Sequence, residues 1–111
     1  MPNLSEPFEI DPATLRDRLQ SDEPPAILDV REPWEVEIAS VDGAFNIPLE
    51  RLPGRVKEVP GDRAVAVMCH HGARSAQAAA WLRQQGFPRV MNVAGGIDAW
   101  ARLIDPDVPR Y

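Results

Sequence analysis

The feature that most restricts this chain is the run Ala64–Val65–Ala66–Val67–Met68, five apolar residues with no polar alternation, followed at once by Cys69 and a glycine-containing turn. A strand with one wet face alternates apolar and polar residues, whereas a strand covered on both faces does not. Residues 63–69 therefore predict a central strand with helices on either side. PPAILDV (24–30) and RVMNV (89–93) have the same character, and FEI (8–10) and GAFNIPL (43–49) supply two shorter strands. Helical stretches lie between them. Asp11 followed by Pro12 is a helix-start signal, and Leu15 and Leu19 then share one face. Pro33 opens a short helix over 32–39, and residues 49–59 are helical in parts, interrupted by Pro53 and Gly54. Ser75 is the expected N-cap of a helix over 76–85, with Ala78, Ala79 and Leu82 as a low stripe against the sheet. Gly86 is expected to close that helix in the left-handed conformation, with Phe87 packing back and Pro88 preventing continuation. Gly95 and Gly96 open a last helix reaching residue 104.

Strands alternating with helices imply an α/β fold, a parallel sheet of about five strands between helical layers, joined by right-handed crossovers. In such sheets ligands bind beyond the carboxyl ends of the strands. Cys69 ends one strand, Asp29 and Arg31 end another, and Gly95 and Gly96 follow a third, so parallel pairing brings all of them to one edge.

The chain's 111 residues and 44% hydrophobic content suit one domain with one core, here about residues 8–103, with 104–111 as a polar, proline-bearing tail. A net charge of -5 without any basic run argues against direct nucleic-acid binding, which depends on neutralising phosphates. No apolar run has the length of a membrane span. The opening MPNLSEPFEI has no basic flank and no apolar signal core, which leads us to expect a cytoplasmic protein.

Cys69 is the only cysteine, so no internal disulfide forms, and any covalent adduct on it must be discharged by an outside molecule. The residues leave two readings open: a small buried apolar group, or a nucleophile. The segment after it favours the second. Residues 69–75 must curl tightly between strand and helix, Gly72 permits that curl, and successive N–H groups around it form a nest for an anion. The following helix adds its positive end, and Arg74 adds a planar fork of donors suited to an oxyanion. The expected product is an ionised thiol in a cradle for a small anion, lined by His70, His71, Gly72, Ala73, Arg74 and Ser75. His70 and His71 are expected to shape the mouth, to bind an oxyanion when protonated, or to raise thiolate content. A metal site is not expected, because adjacent residues do not wrap one ion tetrahedrally. Trp34, Trp81 and Trp100 are expected in the core or at a rim rather than as substrate platforms.

CHHGARS (69–75) resembles the active-site loop of single-domain rhodaneses, a family of sulfurtransferases. ILDVREPWEVEIASVDGAFNIPL (27–49) is similar to that family's first signature and VMNVAGGIDAW (90–100) to its closing one, in family order, over most of the chain. The resemblance implies a rhodanese-like three-layer fold and a persulfide mechanism without a cofactor. The Cys69 thiolate takes the outer sulfur of a donor such as thiosulfate, and a thiophilic acceptor, cyanide or a thiol, removes it. It also implies that Asp29 orders the site, with Arg31 and Glu35 as further support and either carboxylate as a partner for Arg74. A partner-dependent sulfur carrier and a non-catalytic interaction module are the alternatives, and a protein sulfur acceptor is among the partners the resemblance allows. Phosphatases and arsenate reductases of similar architecture are a remote one, since they use C-x5-R and this chain has the shorter C-x4-R from Cys69 to Arg74. The chain departs from the family at ASVDGA (39–44), where Ser40 and Asp42 replace the usual histidine and proline.

Overall fold

A computed structural model describes residues 6–111, so the reading of the first five residues lies outside it. The elements are β1 (Glu9–Ile10), α1 (Pro12–Leu19), β2 (Ala26–Asp29), α2 (Pro33–Ile38), β3 (Phe45–Asn46), a 3-10 segment (Leu49–Glu58), β4 (Val65–Met68), α3 (Ala73–Gln84), β5 (Val90–Val93) and α4 (Gly96–Leu103). The sheet runs β1-β5-β4-β2-β3 with every pair parallel, and β4 lies at its centre as the unalternating apolar run requires. No helix among the described residues is long and apolar enough to cross a membrane.

The two-residue period of a strand sorts the core into two layers. Ile27, Ala66, Met68, Met91 and Val93 face one side, where they meet Leu15 of α1 and Ile97 and Trp100 of α4. Leu28, Val65, Val67 and Val90 face the other, where they meet Ala78, Ala79 and Leu82 of α3 and Leu52 of the 3-10 segment. Cys69 follows Val67 by two residues and falls on the α3 side with it.

The helix ends show which local signals were sufficient. Asp11 accepts the Thr14 N–H at 2.8 Å and caps α1 as expected. At the far end of α3 the Phe87 N–H reaches the Leu82 carbonyl and the Gly86 N–H the Arg83 carbonyl, with Gly86 at φ +98°, the expected glycine stop. The start of α3 differs. Its N-cap is Gly72 at φ +108°, and Ser75 is the third residue of the helix, fully buried. Glycine's freedom lets the chain reverse immediately after Cys69, so Ala73, Arg74 and Ser75 belong to the first turn of the helix rather than to a loop. In the 3-10 segment the break falls at Arg55, directly after Pro53 and Gly54. Of the tryptophans, Trp100 is core, Trp81 is half-buried, and Trp34 is 60% exposed.

The N-terminus of α4 meets the turn after β4. Ile97 donates its N–H to the Cys69 carbonyl at 2.8 Å, and Asp98 donates to the His70 carbonyl at 3.0 Å. Gly96, at φ +60°, makes this approach possible, since a Cβ there would collide with both carbonyls. Gly96→Ala is expected to cost at least about 2 kcal/mol in chemical denaturation, from strain plus steric conflict. Gly54→Ala, where a Cβ meets nothing within 4 Å and φ is ordinary, is the control and is expected to be near neutral.

Candidate active site

With its carbonyls taken by α4, the turn presents its other side to the sulfur. The Gly72 N–H points at Cys69 Sγ from 3.1 Å, and Ser75 Oγ lies 3.2 Å from the same atom. Ser75 is held from behind by Asn92 Oδ1 at 2.5 Å, while Asn92 Nδ2 donates to the Gly72 carbonyl and to Glu9. A hydroxyl has one proton, so Ser75 donates either to Asn92 or to the sulfur. With a protonated thiol the order Cys69 S–H to Ser75 to Asn92 satisfies every group. With an anionic sulfur the hydroxyl turns to it. The site therefore has a donor that follows the charge on Cys69.

Cys69 is buried, at 1% exposure, among Val30, Leu52 and Ala78. Those three residues also line a cavity of about 560 Å³ together with Arg74 and Trp81, and Cys69 itself is not part of its lining.

Two ion pairs stand beside the turn. Arg31 is completely buried, and its Nε and Nη2 grip Asp29 at 3.0 and 2.7 Å. Its remaining three protons go to the carbonyls of Glu35 and Ala39 and to the Tyr111 hydroxyl, so the pair ties α2 to the end of β2. A buried pair this fully satisfied orders the backbone around it more than it adds net stability. The second pair answers which carboxylate holds Arg74: it is Glu35, through two parallel bonds of 2.6 and 2.9 Å. The Arg74 hydrogen bonds hold the Glu35 carboxyl at about 2, against the opposing effect of burial and with help from Tyr111 and the Glu32 N–H. Arg74 is pushed upward by the same contact, and its side chain stays 37% exposed.

The histidines form a stack. His70 lies between His71 and Tyr111, each ring centre 3.9 Å away, and the Tyr111 ring is parallel to it within 4°. Burial and the neighbouring His71 push His70 below its ordinary value, so at neutral pH it is uncharged and offers no cationic donor. Asp98 of α4 brings its carboxylate to the two histidines, the three donor atoms lying within 4.8 Å of one another. That carboxylate is already paired with Arg110 at 3.0 Å and approached by Arg102 at 3.7 Å.

The structure thus gathers Cys69, His70, His71, Gly72, Arg74, Ser75, Asp29, Arg31 and Glu35 at one edge of the sheet, while Ala73 serves as the first residue of α3. Sequence reasoning passed over three contributors. Asn92 had a signal, being the single polar residue of an otherwise apolar strand. Asp98 and Tyr111 had none, because only the packing of α4 and of residues 104–111 brings them here.

The family model of the rhodanese-like domain matches residues 11–103. The chain belongs to the rhodanese-like family. It is 45% identical over 94 residues to a sulfurtransferase of Allochromatium vinosum, covering 85% of this chain and 88% of that one. It is 38% identical over 98 residues to a putative sulfur carrier protein, YrkF, of Bacillus subtilis, covering 88% of this chain and 53% of that one. Against several longer relatives the match spans only 20 to 30% of their length. Among solved structures, a rhodanese-related protein of Thermoplasma volcanium superposes with a TM-score of 0.82 at 34% identity, over 95% of this chain and all of that one. The rhodanese-like fold places the departures at Ser40 and Asp42 on the surface, with Val41 between them buried in the α1/α4 layer.

The Glu35 shift carries a pH dependence. A carboxyl depressed in the folded state stabilises the fold above its unfolded value near 4.5, and that stabilisation is lost as pH falls through about 2. The span corresponds to no more than about 3 kcal/mol, and to less because the Arg74 end of the pair is part-exposed. Urea unfolding as a function of pH is expected to show this acid loss in the native protein and a shallower one in Glu35→Gln.

Proposed function

We propose that this rhodanese-like chain moves sulfane sulfur, with Cys69 carrying it as a persulfide. The observation that supports this reading most is the pair of donors, the Gly72 N–H and the Ser75 hydroxyl, directed at Cys69 Sγ from the first turn of α3. In a water-poor site the fixed Gly72 N–H and the turn of one Ser75 hydroxyl proton from Asn92 to the sulfur stabilise negative charge there. In the first half-reaction the Cys69 thiolate attacks the outer sulfur of thiosulfate or a comparable anionic donor. The S–S bond to the sulfonate breaks, sulfite leaves with its electron pair, and Cys69 holds S–S⁻. In the second, cyanide or a thiolate attacks the terminal sulfur and Cys69 returns as thiolate. No second cysteine is needed because the acceptor is external.

An anionic donor entering the cavity lined by Val30, Leu52 and Ala78 meets Arg74 there, and reaches the buried sulfur on local opening of those apolar neighbours. Arg74 meets it with the N–H groups that Glu35 leaves free. Its four-residue spacing from Cys69 makes a cradle narrower than a phosphoryl group requires, which favours sulfur over phosphate chemistry.

One observation favours a second reading, sulfur delivery to a protein acceptor. Cys69 at 1% exposure requires local opening before any acceptor reaches it, and docking of a partner supplies such an opening. A relative named as a putative sulfur carrier accords with this.

Intact mass after incubation with thiosulfate separates these readings from a purely structural thiol. The native chain is expected to gain about one sulfur atom, lost again on addition of cyanide, and Cys69→Ser to gain none. Uptake from a protein persulfide but not from thiosulfate selects the carrier reading, and no uptake from either overturns both. Arg74→Ala is expected to reduce kcat/KM for thiosulfate roughly ten- to a hundredfold in protein still folded at the assay temperature, with a lowered Tm because the buried Glu35 carboxylate loses its guanidinium, and equal rates remove the role given to that guanidinium.

A further inference from the structure

We propose that Tyr111 is a positioning residue for the Glu35–Arg74 pair and thereby sets how well the site receives an anionic sulfur donor; this rests on the sulfur-transfer reading above. Residues 104–111 do not hang free. Val108 is buried against the α1/α4 layer, Arg110 pairs with Asp98, and the segment ends with the Tyr111 side chain among the groups around Cys69.

The phenol lies between the two ion pairs. Arg31 Nη1 donates to Tyr111 Oη at 2.8 Å, and Tyr111 Oη stands 2.7 Å from Glu35 Oε2. The direction of both bonds is forced. A guanidinium only donates and an ionised carboxylate only accepts, so the single phenolic proton must go to Glu35. Burial raises the phenol above its ordinary value, which keeps that proton in place. The result is one continuous chain of polar contacts, Asp29–Arg31–Tyr111–Glu35–Arg74, from the end of β2 to the guanidinium beside the turn.

Within that chain Glu35 accepts four bonds, two from Arg74, one from the Glu32 N–H and one from Tyr111. The Tyr111 bond has two effects. It fixes the rotation of the carboxylate, and so the plane in which Arg74 is held. It also carries part of the carboxylate's charge, leaving Arg74 with more of its own field for an incoming anion. Without the hydroxyl, Oε2 has only Arg74, and the buried Arg31 loses an acceptor. The ring adds a separate contact, stacked on His70 and set edge-on to Trp34 at 6.5 Å.

Tyr111→Phe removes the hydroxyl and keeps the ring, and Tyr111→Ala removes both. For Tyr111→Phe we expect KM for thiosulfate to rise about three- to tenfold, less than a direct hydrogen bond to a charged group is worth because Tyr111 acts on Arg74 only through Glu35. Transfer from preloaded Cys69 persulfide to cyanide, which does not use the donor's sulfonate, is expected to stay within twofold. Carbon-13 NMR of the Glu35 carboxyl is expected to show protonation beginning at higher pH than in the native chain. Tyr111→Ala is expected to show the same KM change plus a lowered Tm. A lowered Tm in both variants with KM and the Glu35 titration unmoved makes Tyr111 merely structural and overturns the proposal. So does an equal loss in both half-reactions. If the native chain takes up no sulfur, the sulfur reading fails on its own. The role of Tyr111 is then decided by the Glu35 titration, where an unchanged curve in Tyr111→Phe overturns it.

Discussion

The site depends on what happens to two carbonyl groups. A peptide unit in a tight turn has an acceptor side and a donor side, and burying either without a partner is costly. Here the first N–H groups of α4 take the carbonyls of Cys69 and His70. That fixes the turn's donor side toward the Cys69 side chain, where the Gly72 N–H points at the sulfur. Two helix N-termini thus act on the same few peptides, α4 from the carbonyl side and α3 from the sulfur side. Gly72, Gly95 and Gly96 carry the positive backbone angles this meeting requires, angles that residues with a Cβ rarely adopt.

Charge around this turn is balanced rather than accumulated. Asp29 with Arg31 and Glu35 with Arg74 are each neutral as pairs, and His70 is uncharged at neutral pH. A site without a net positive ligand set relies on oriented dipoles and on hydroxyl groups to accommodate an anionic sulfur. Ser75 answers that need, since its proton has two alternative acceptors, Asn92 and the sulfur. Charge on the thiol is met by reorientation of one hydroxyl rather than by movement of a cation.

Most of the scaffold was legible in the residues because it is written in local patterns. The unalternating run before Cys69 located the central strand, Asp11–Pro12 the start of α1, and Gly86–Phe87–Pro88 the stop of α3. Parallel pairing then brought Asp29, Arg31 and Cys69 to one edge without further assumption. The start of α3 was misplaced because serine and glycine both begin helices, and only the backbone angle at Gly72 decides between them. The pairing of Arg74 with Glu35 was beyond reach for a different reason. Asp29 and Glu35 were both near in order, and the choice turned on Arg31 claiming Asp29 first. Tyr111 lies 80 residues from its guanidinium partner, a distance over which no periodicity speaks.

The placement of Cys69 on the α3 side follows from its even spacing from Val67 and Val65, which makes the location of the thiol a question of parity. Insertion or deletion of a single residue between Val65 and Cys69 would turn the sulfur through the sheet to the α1/α4 layer, away from Ser75 and the foot of α3, while leaving composition and hydropathy almost unaltered. Evolution of this element is thereby confined to substitutions and to paired length changes. The same counting rule reaches the neighbouring strand, because Asn92 stands at an even step from Val90 and must keep it to stay behind Ser75.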